Sequence, residues 1–367
     1  MLQEFKVRNF KNFKEELLFS FKTENNYEFN RNMVINGIIK DCVIVGNNAT
    51  GKTNLGYAIF DITHHLTDKR KKLEKYRLYY NLYNKSDIVY FEYTFKFGNS
   101  ILKYSYEKKH VEKIEKEWLL IDDKEIIVND LSGIKVELKG AENLNLQNWN
   151  GSISLVKYVY ANTLLDANDK YCKVFIQFMR FVSGMLWISS TEGNRYIGFC
   201  NDEGYVLESI SNNDGAVEKL ETFLKEMGIN YKLVAKDKGD GKNIYCIMGE
   251  NEVRLSPLLS SGTKSLVFFF LWYMQIEKIP FIYIDEFDAF YHTDLSIEVL
   301  KKIIESANTQ AVITSHNTDI LSNKFLRPDC YFKLEDNKIK SFSDLTDKSL
   351  REAHNLQKMY KAGAFND

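Results

Sequence analysis

The spacing of apolar positions changes repeatedly along the chain, and each change marks an element. Over residues 2–21, Leu2, Phe5, Val7, Phe10, Phe13, Leu17, Phe19 and Phe21 flank the polar turn Asn9-Phe10-Lys11-Asn12-Phe13. That alternation predicts two strands and a turn. Residues 41–45 form a short, β-branched apolar run, the pattern of a strand covered on both faces. Helical spacing follows over 54–60 and continues over 60–82. Residues 87–138 alternate aromatic and β-branched positions, with turn residues at Gly98-Asn99, Asp122-Asp123 and Ser132-Gly133. They predict an antiparallel layer. Residues 151–228 read as mostly helical, most clearly over 168–187 and 216–227, and 231–253 returns to strands. The segment 265–276 is apolar on nearly every side and predicts a buried helix ending at Pro280. Residues 281–284 and 311–316 are two more continuous apolar strands, with a helix over 292–307 between them. A hairpin over 331–342 and an amphipathic helix over 350–365 complete the chain.

One stretch in this pattern carries specific chemistry. Gly46-Asn47-Asn48-Ala49-Thr50-Gly51-Lys52-Thr53 fits G-x-x-x-x-G-K-[ST] without mismatch. It lies between a predicted strand and a predicted helix, the context that motif requires. Glycines let the backbone wrap an anion, and loop N–H groups with the helix N-terminus face a β-phosphate. A lysine at position 52 reaches the β- and γ-phosphates, and the Thr53 hydroxyl ligates Mg²⁺. The plain alternative is a glycine turn before an ordinary helix. A chance match at ordinary residue frequencies is on the order of one per cent.

Composition narrows the classes. The chain has 367 residues, enough for two lobes, and 49 basic against 50 acidic residues. A net charge of −1 gives no global field for nucleic acid. The exception is Lys69-Arg70-Lys71-Lys72 with Lys75 and Arg77, interleaved with Tyr76, Tyr79, Tyr80 and Tyr83. Such a run either binds nucleic acid or is a solvated helix face. The start of the chain lacks an apolar signal core, and the longest apolar run, 266–274, is too short for a bilayer. Five cysteines at 42, 172, 200, 246 and 330 form no C-x-x-C pair, which predicts reduced thiols in a cytoplasm.

Three further motifs follow the phosphate loop in order. Ser260-Ser261-Gly262 opens a helix, where hydroxyls cap and free N–H groups can hold a γ-phosphate. Capping alone also explains two serines. Asp285-Glu286 ends an apolar strand; Asp285 suits a Mg²⁺ shell and Glu286 suits polarising an attacking water. His316 ends the next strand, suited to sensing a γ-phosphate. A strand-end acidic pair or histidine alone is commonplace. Near the N-terminal turn, Arg8 and Lys11-Asn12-Phe13 lie either beside a nucleobase or on a plain hairpin.

Together these motifs resemble the ATP-binding-cassette ATPases of the SMC, RecF and OLD branch, and within it the bacterial ATPases of abortive infection and phage defence. Leu259-Ser260-Ser261-Gly262-Thr263-Lys264 resembles the signature motif, reading Ser-Ser-Gly where relatives have Ser-Gly-Gly. Residues 281–288 resemble Walker B, with His292 soon after, and Thr314-Ser315-His316-Asn317 resembles the switch histidine. The tail over 350–365 resembles those of the defence group, and Gln177 is one candidate for a glutamine loop. The resemblance implies an α/β, two-lobed P-loop ABC-type ATPase with an antiparallel β layer and a small helical insertion. Its segments would be 1–150, 151–235, 236–345 and a tail over 346–367. It implies ATP and Mg²⁺ as cofactors and Gly46 to Thr53 with Ser260, Ser261 and Gly262 as nucleotide-binding residues. Thr53 and Asp285 would hold the metal, and Glu286 and His316 would be catalytic. It also implies a cytoplasmic homodimer, extendable to a higher oligomer, with ATP at the interface and a separately encoded effector. A DNA-repair ATPase and a scaffold that binds ATP without turnover are the rival classes. The absent coiled coil and neutral charge weigh against the first, and Glu286 against the second.

Overall fold

The computed structural model describes residues 1–69, 76–146, 149–189, 191, 195–198, 206–239 and 241–366. Two large sheets dominate. The central sheet has seven strands in the order Arg195–Gly198, Leu186–Ser189, Phe281–Asp285, Gln310–Ser315, Asp41–Val45, Tyr331–Glu335 and Lys338–Ser341. Its five inner strands run parallel and each edge is closed by an antiparallel partner. Asp41–Val45, Phe281–Asp285 and Gln310–Ser315 are buried at every position, which is why they read as unbroken apolar runs.

The second sheet is antiparallel and also seven-stranded. Gly133–Val136, Lys124–Asp130, Lys113–Ile121, Ser100–His110 and Val89–Phe97 lead to Leu2–Arg8 and Leu17–Ser20. Its alternation is visible in Leu2, Phe5 and Val7, all buried, and in Lys6, which pairs with Glu92 at 2.9 Å on the open face. Gln310 stitches the two sheets together. Its side chain accepts from Leu2 N–H at 2.9 Å and donates to the carbonyls of Leu2 and Ile39.

The helix Lys52–Leu66 runs between these layers and is buried along nearly its whole length. Tyrosine hydroxyls from both sides donate to its carbonyls, Tyr93 to Ala58 and Ile59 and Tyr283 to Lys52. A small three-stranded sheet, Leu233–Asp237, Lys242–Met248 and Asn251–Arg254, stands apart with the helices Val206–Ser211 and Ala216–Glu226. No described helix is long and apolar enough to cross a membrane.

Three expectations change. The helical reading of 151–228 overlooked Leu186–Ser189 and Arg195–Gly198, which belong to the central sheet. The helix Lys170–Gly184 stops where a Cβ on Gly184 would sit 2.6 Å from Pro280, and Met185 turns extended. Four apolar residues appended to a helix carry no period of their own. The central sheet therefore draws strands from both sides of residues 150 and 235. The helix read over 60–82 ends at Leu66. Tyr76 and Tyr79 instead pack inward around Phe10, and Tyr80 bridges Phe10. Arg70, Lys71, Lys72 and Lys75 lie outside the described residues. The tail is helical only over Leu356–Lys361. Asn323 holds the preceding turn by donating to the carbonyls of Arg351, Glu352 and His354, and Phe365 stacks on Phe342 at 4.2 Å.

Gly56 lies mid-helix, where alanine is the better helix former by about 1 kcal/mol. A Cβ there would meet Trp187 Nε1 at 2.7 Å and Tyr283 Cε1 at 2.8 Å, atoms of two rigid, buried rings. Overpacking of that kind costs about 1–3 kcal/mol, so packing outweighs propensity. Gly56→Ala is expected to lower the denaturation midpoint; a more stable variant in urea unfolding would refute this account of the packing.

Candidate functional site

The parallel strands deliver their carboxyl ends to one edge. Val45 lies opposite Ser315 and Ile284 opposite Ile313, so Gly46, His316 and Asp285 emerge side by side. Open α/β sheets bind ligands at this edge. Each glycine of the loop answers a different demand. A Cβ on Gly46 would lie 2.5 Å from the Leu334 carbonyl, whereas Gly51 has φ +104° and sits against the Asn12 side chain. Ala49 also takes a left-handed backbone, φ +64°. No side chain caps the helix Lys52–Leu66, so its first N–H groups face the loop.

Lys52 is folded onto its own loop. Its Nζ donates to the carbonyls of Gly46 at 2.8 Å and Asn47 at 3.0 Å and lies 3.4 Å from His316 Nδ1. Burial lowers its pKa, against the pull of Glu286, Asp285 and Asp288. The Thr53 hydroxyl donates to Asp285 Oδ2 at 2.8 Å. Asp285 is buried, while Glu286 has φ +48° and its Oε1 stands 3.4 Å from His316 Nε2. Asp288 accepts from Ser315 Oγ at 2.5 Å, and burial raises its pKa. Asn48 to Asn54, Glu286 and His316 line one cleft of about 620 Å³. A buried carboxylate bonded to a threonine hydroxyl is a hard-oxygen pair of the kind that suits Mg²⁺.

Ser260, Ser261 and Gly262 lie elsewhere. Ser260 Oγ accepts from Thr263 N–H at 3.2 Å and caps the helix Ser261–Tyr273, and both serines are exposed. Gly262 packs against the Phe290 carbonyl, which leaves 2.9 Å for a Cβ. His292 caps the helix Thr293–Ile304 through Nδ1 and Leu295 N–H. Gln177 is exposed on Lys170–Gly184 and does not line the cleft, so the glutamine loop is not found there.

The N-terminal turn does reach the site, in part. Asn12 Oδ1 accepts from Asn54 at 2.7 Å, and its Nδ2 donates to Asn337 at 2.9 Å. With Lys11, Lys14, Leu82 and Tyr83 these residues line a second open cleft of about 750 Å³. Phe13 is in the core, and Arg8 lies over the Tyr90 ring instead. Sequence reasoning missed the parts played by Asn54 on the helix, Asn337 in a turn and Tyr283 on a strand; none belongs to a motif, and only the three-dimensional neighbours single these out.

Residues 194–322 match a family model described as "AAA domain, putative AbiEii toxin, Type IV TA system". The matched span holds Ser260 to Gly262, Asp285, Glu286 and His316, and the resemblance to ATPases linked to abortive infection is borne out by it. No curated protein matches the chain. Among solved structures, the SMC head domain from Thermotoga maritima is similar at 14% identity and TM-score 0.44, covering 92% of this chain and 97% of that one. A Smc head domain from Pyrococcus furiosus, with an extended coiled coil and bound to the C-terminal domain of ScpA, is similar at 12% identity and TM-score 0.42, covering 94% and 97%. The fold is defined by the strand order and phosphate loop of this chain.

Lys52→Ala is expected to weaken ATP binding at least tenfold, since a charge-assisted hydrogen bond contributes about 1.5–3 kcal/mol. Calorimetric titration measures this directly, and unchanged affinity would remove Lys52 from the binding site.

Proposed function

We propose that this chain is a Mg²⁺-dependent ATPase that works as a nucleotide-gated switch. The observation that carries the reading is the Thr53–Asp285 hydrogen bond, with Lys52, Glu286 and His316 on the same cleft. Bound Mg²⁺-ATP supplies the phosphoanhydride bond and neutralises its charge. The loop N–H groups and Lys52 hold the phosphates, and Lys52 trades its bonds to Gly46 and Asn47 for them. Thr53 keeps its proton on Asp285 and has a lone pair left for the metal. Glu286 orients and deprotonates the attacking water, and His316, next to both Glu286 and Lys52, reads the γ-phosphate. Lys11, Asn12 and Tyr83 offer a seat for the nucleobase.

The exposed helix start at Ser261, away from the cleft, fits a site completed by a second copy of the chain. ATP would then hold a homodimer and hydrolysis would release it. We extend this, by analogy with the matched family, to a cytoplasmic sensor of phage defence that restrains a separately encoded toxic effector. The segments 1–150, 151–235, 236–345 and 346–367 are proposed as its functional parts. A DNA-repair role is less well supported, because net charge is −1 and backbone binding needs a phosphate-neutralising face.

Glu286→Gln is expected to bind ATP but to lose about 100-fold or more in turnover, since only water activation is removed. The variant should accumulate as an ATP-bound dimer in sedimentation; wild-type turnover would eliminate Glu286 as the base. Ser261→Arg should leave nucleotide binding intact and block closure. Mixed with Lys52→Ala, it should restore one working site per mixed dimer. No activity above the separate variants, with mixed dimers verified, would overturn the shared site.

A further inference from the structure

The ATPase reading leaves one buried side chain at the site without a role. Thr314 is fully buried one residue from the end of Gln310–Ser315 and touches no surface of the cleft. Its hydroxyl donates to Asp285 Oδ1 at 2.9 Å and accepts from Glu286 N–H at 2.8 Å. The direction of both bonds is fixed, because a carboxylate oxygen only accepts and an N–H only donates. The Thr314 carbonyl also accepts from Phe287 N–H at 3.3 Å. Glu286 is held at φ +48°, a left-handed conformation that side-chain-bearing residues avoid. Nothing in the amino-acid pattern of residues 281–288 demands that conformation. In that conformation its N–H is held by the bond to Thr314.

We infer that Thr314 is the positioning residue of the hydrolytic pair: one hydroxyl orients Asp285 for the metal and fixes the backbone that aims Glu286 at water. Asp285 thus receives a hydroxyl proton on each oxygen, from Thr53 on one and Thr314 on the other. Its two oxygens are then fixed in the plane that faces Thr53. The same hydroxyl connects the neighbouring strand, which carries His316 one step beyond Ser315, to the strand that carries Glu286. A movement of either strand at this edge is transmitted to the other through Thr314. The inference rests on the ATPase reading, since it assigns a task within that reaction.

Thr314→Val removes the hydroxyl at nearly constant volume, and Thr314→Ser keeps it. ATP affinity without metal should stay within about threefold in Thr314→Val, because the phosphate loop is untouched. Its kcat should fall about 10- to 100-fold, the value of a hydrogen bond to a charged group, and more Mg²⁺ should be needed for half-maximal turnover. Thr314→Ser should retain most of the wild-type kcat and the wild-type Mg²⁺ demand. Thr314→Ala deletes the same hydroxyl and serves if the valine variant does not fold. A wild type that turns ATP over alongside a hydroxyl-free variant of equal kcat and equal Mg²⁺ demand would overturn the inference and leave the ATPase reading standing. A serine variant as impaired as the valine would also overturn it, by assigning the effect to packing. A wild type that binds ATP but never cleaves it would end both.

Discussion

The helix that begins at Lys52 has no solvent-facing side to speak of, and that constraint shapes the molecule. Its first turn opens on the phosphate-loop motif with no side-chain cap, while the rest of it is sealed between two sheets. A helix in that position must have an apolar or satisfied residue at every angle, and its neighbours must be shaped to it. Gly56 admits Trp187 and Tyr283 against the backbone, and Tyr93 and Tyr283 use their hydroxyls on helix carbonyls. Position and direction of the phosphate loop are therefore set by packing far behind it.

The polar groups on that helix follow the same logic. Asp61 is fully buried, and it accepts hydrogen bonds from Tyr79 at 2.7 Å, Tyr106 at 2.9 Å and Lys108 at 2.6 Å. A buried carboxylate stripped of such donors costs several kcal/mol, so all three partners have to arrive together. His65 bonds Tyr104, whose hydroxyl donates to Glu117, and Glu117 in turn accepts from Ser154 and the first N–H groups of Leu155–Asn162. The antiparallel sheet is thus joined to the phosphate-loop helix by a continuous hydrogen-bond chain as well as by apolar contact. Such a network admits one register of sheet on helix, which an apolar interface alone does not enforce.

Elements with a strong local signature were legible in the sequence. The phosphate loop, the buried strands at 41–45, 281–284 and 311–316 and the antiparallel layer appear where their patterns put them, because each signal is local: continuous burial, period two, or glycine at a tight turn. The strand Leu186–Ser189 was illegible because it follows a helix without an intervening polar residue. The tail read as one long helix because Leu350, Ala353, Leu356, Met359 and Tyr360 fall at helical spacing, while Asn323 stabilises a non-helical turn over 351–354 by three side-chain hydrogen bonds. Within the site, motif residues could be named in advance, but Asn12, Asn54, Asn337 and Thr314 could not be paired. Their partners lie from 28 to 325 residues away in the chain, and the residue types are ordinary.

The arrangement at the strand ends has a chemical consequence that no single motif contains. Lys52, buried and with its pKa lowered, is held by two carbonyls of its own loop, and its amine lies 3.4 Å from His316, whose other ring nitrogen is 3.4 Å from Glu286. An amine released from those carbonyls must find replacement acceptors, and phosphate oxygens at the same loop are the strongest on offer. Exchange of one set of acceptors for the other leaves the count of hydrogen bonds nearly constant. The N–H of Glu286 is held by a strand that also pairs with the strand leading into the phosphate loop, Val45 opposite Ser315. Loop and acidic pair are thus mechanically adjacent through two residues of one strand, Thr314 and Ser315. That short path joins the phosphate loop to Glu286 through hydrogen-bonded backbone and one hydroxyl.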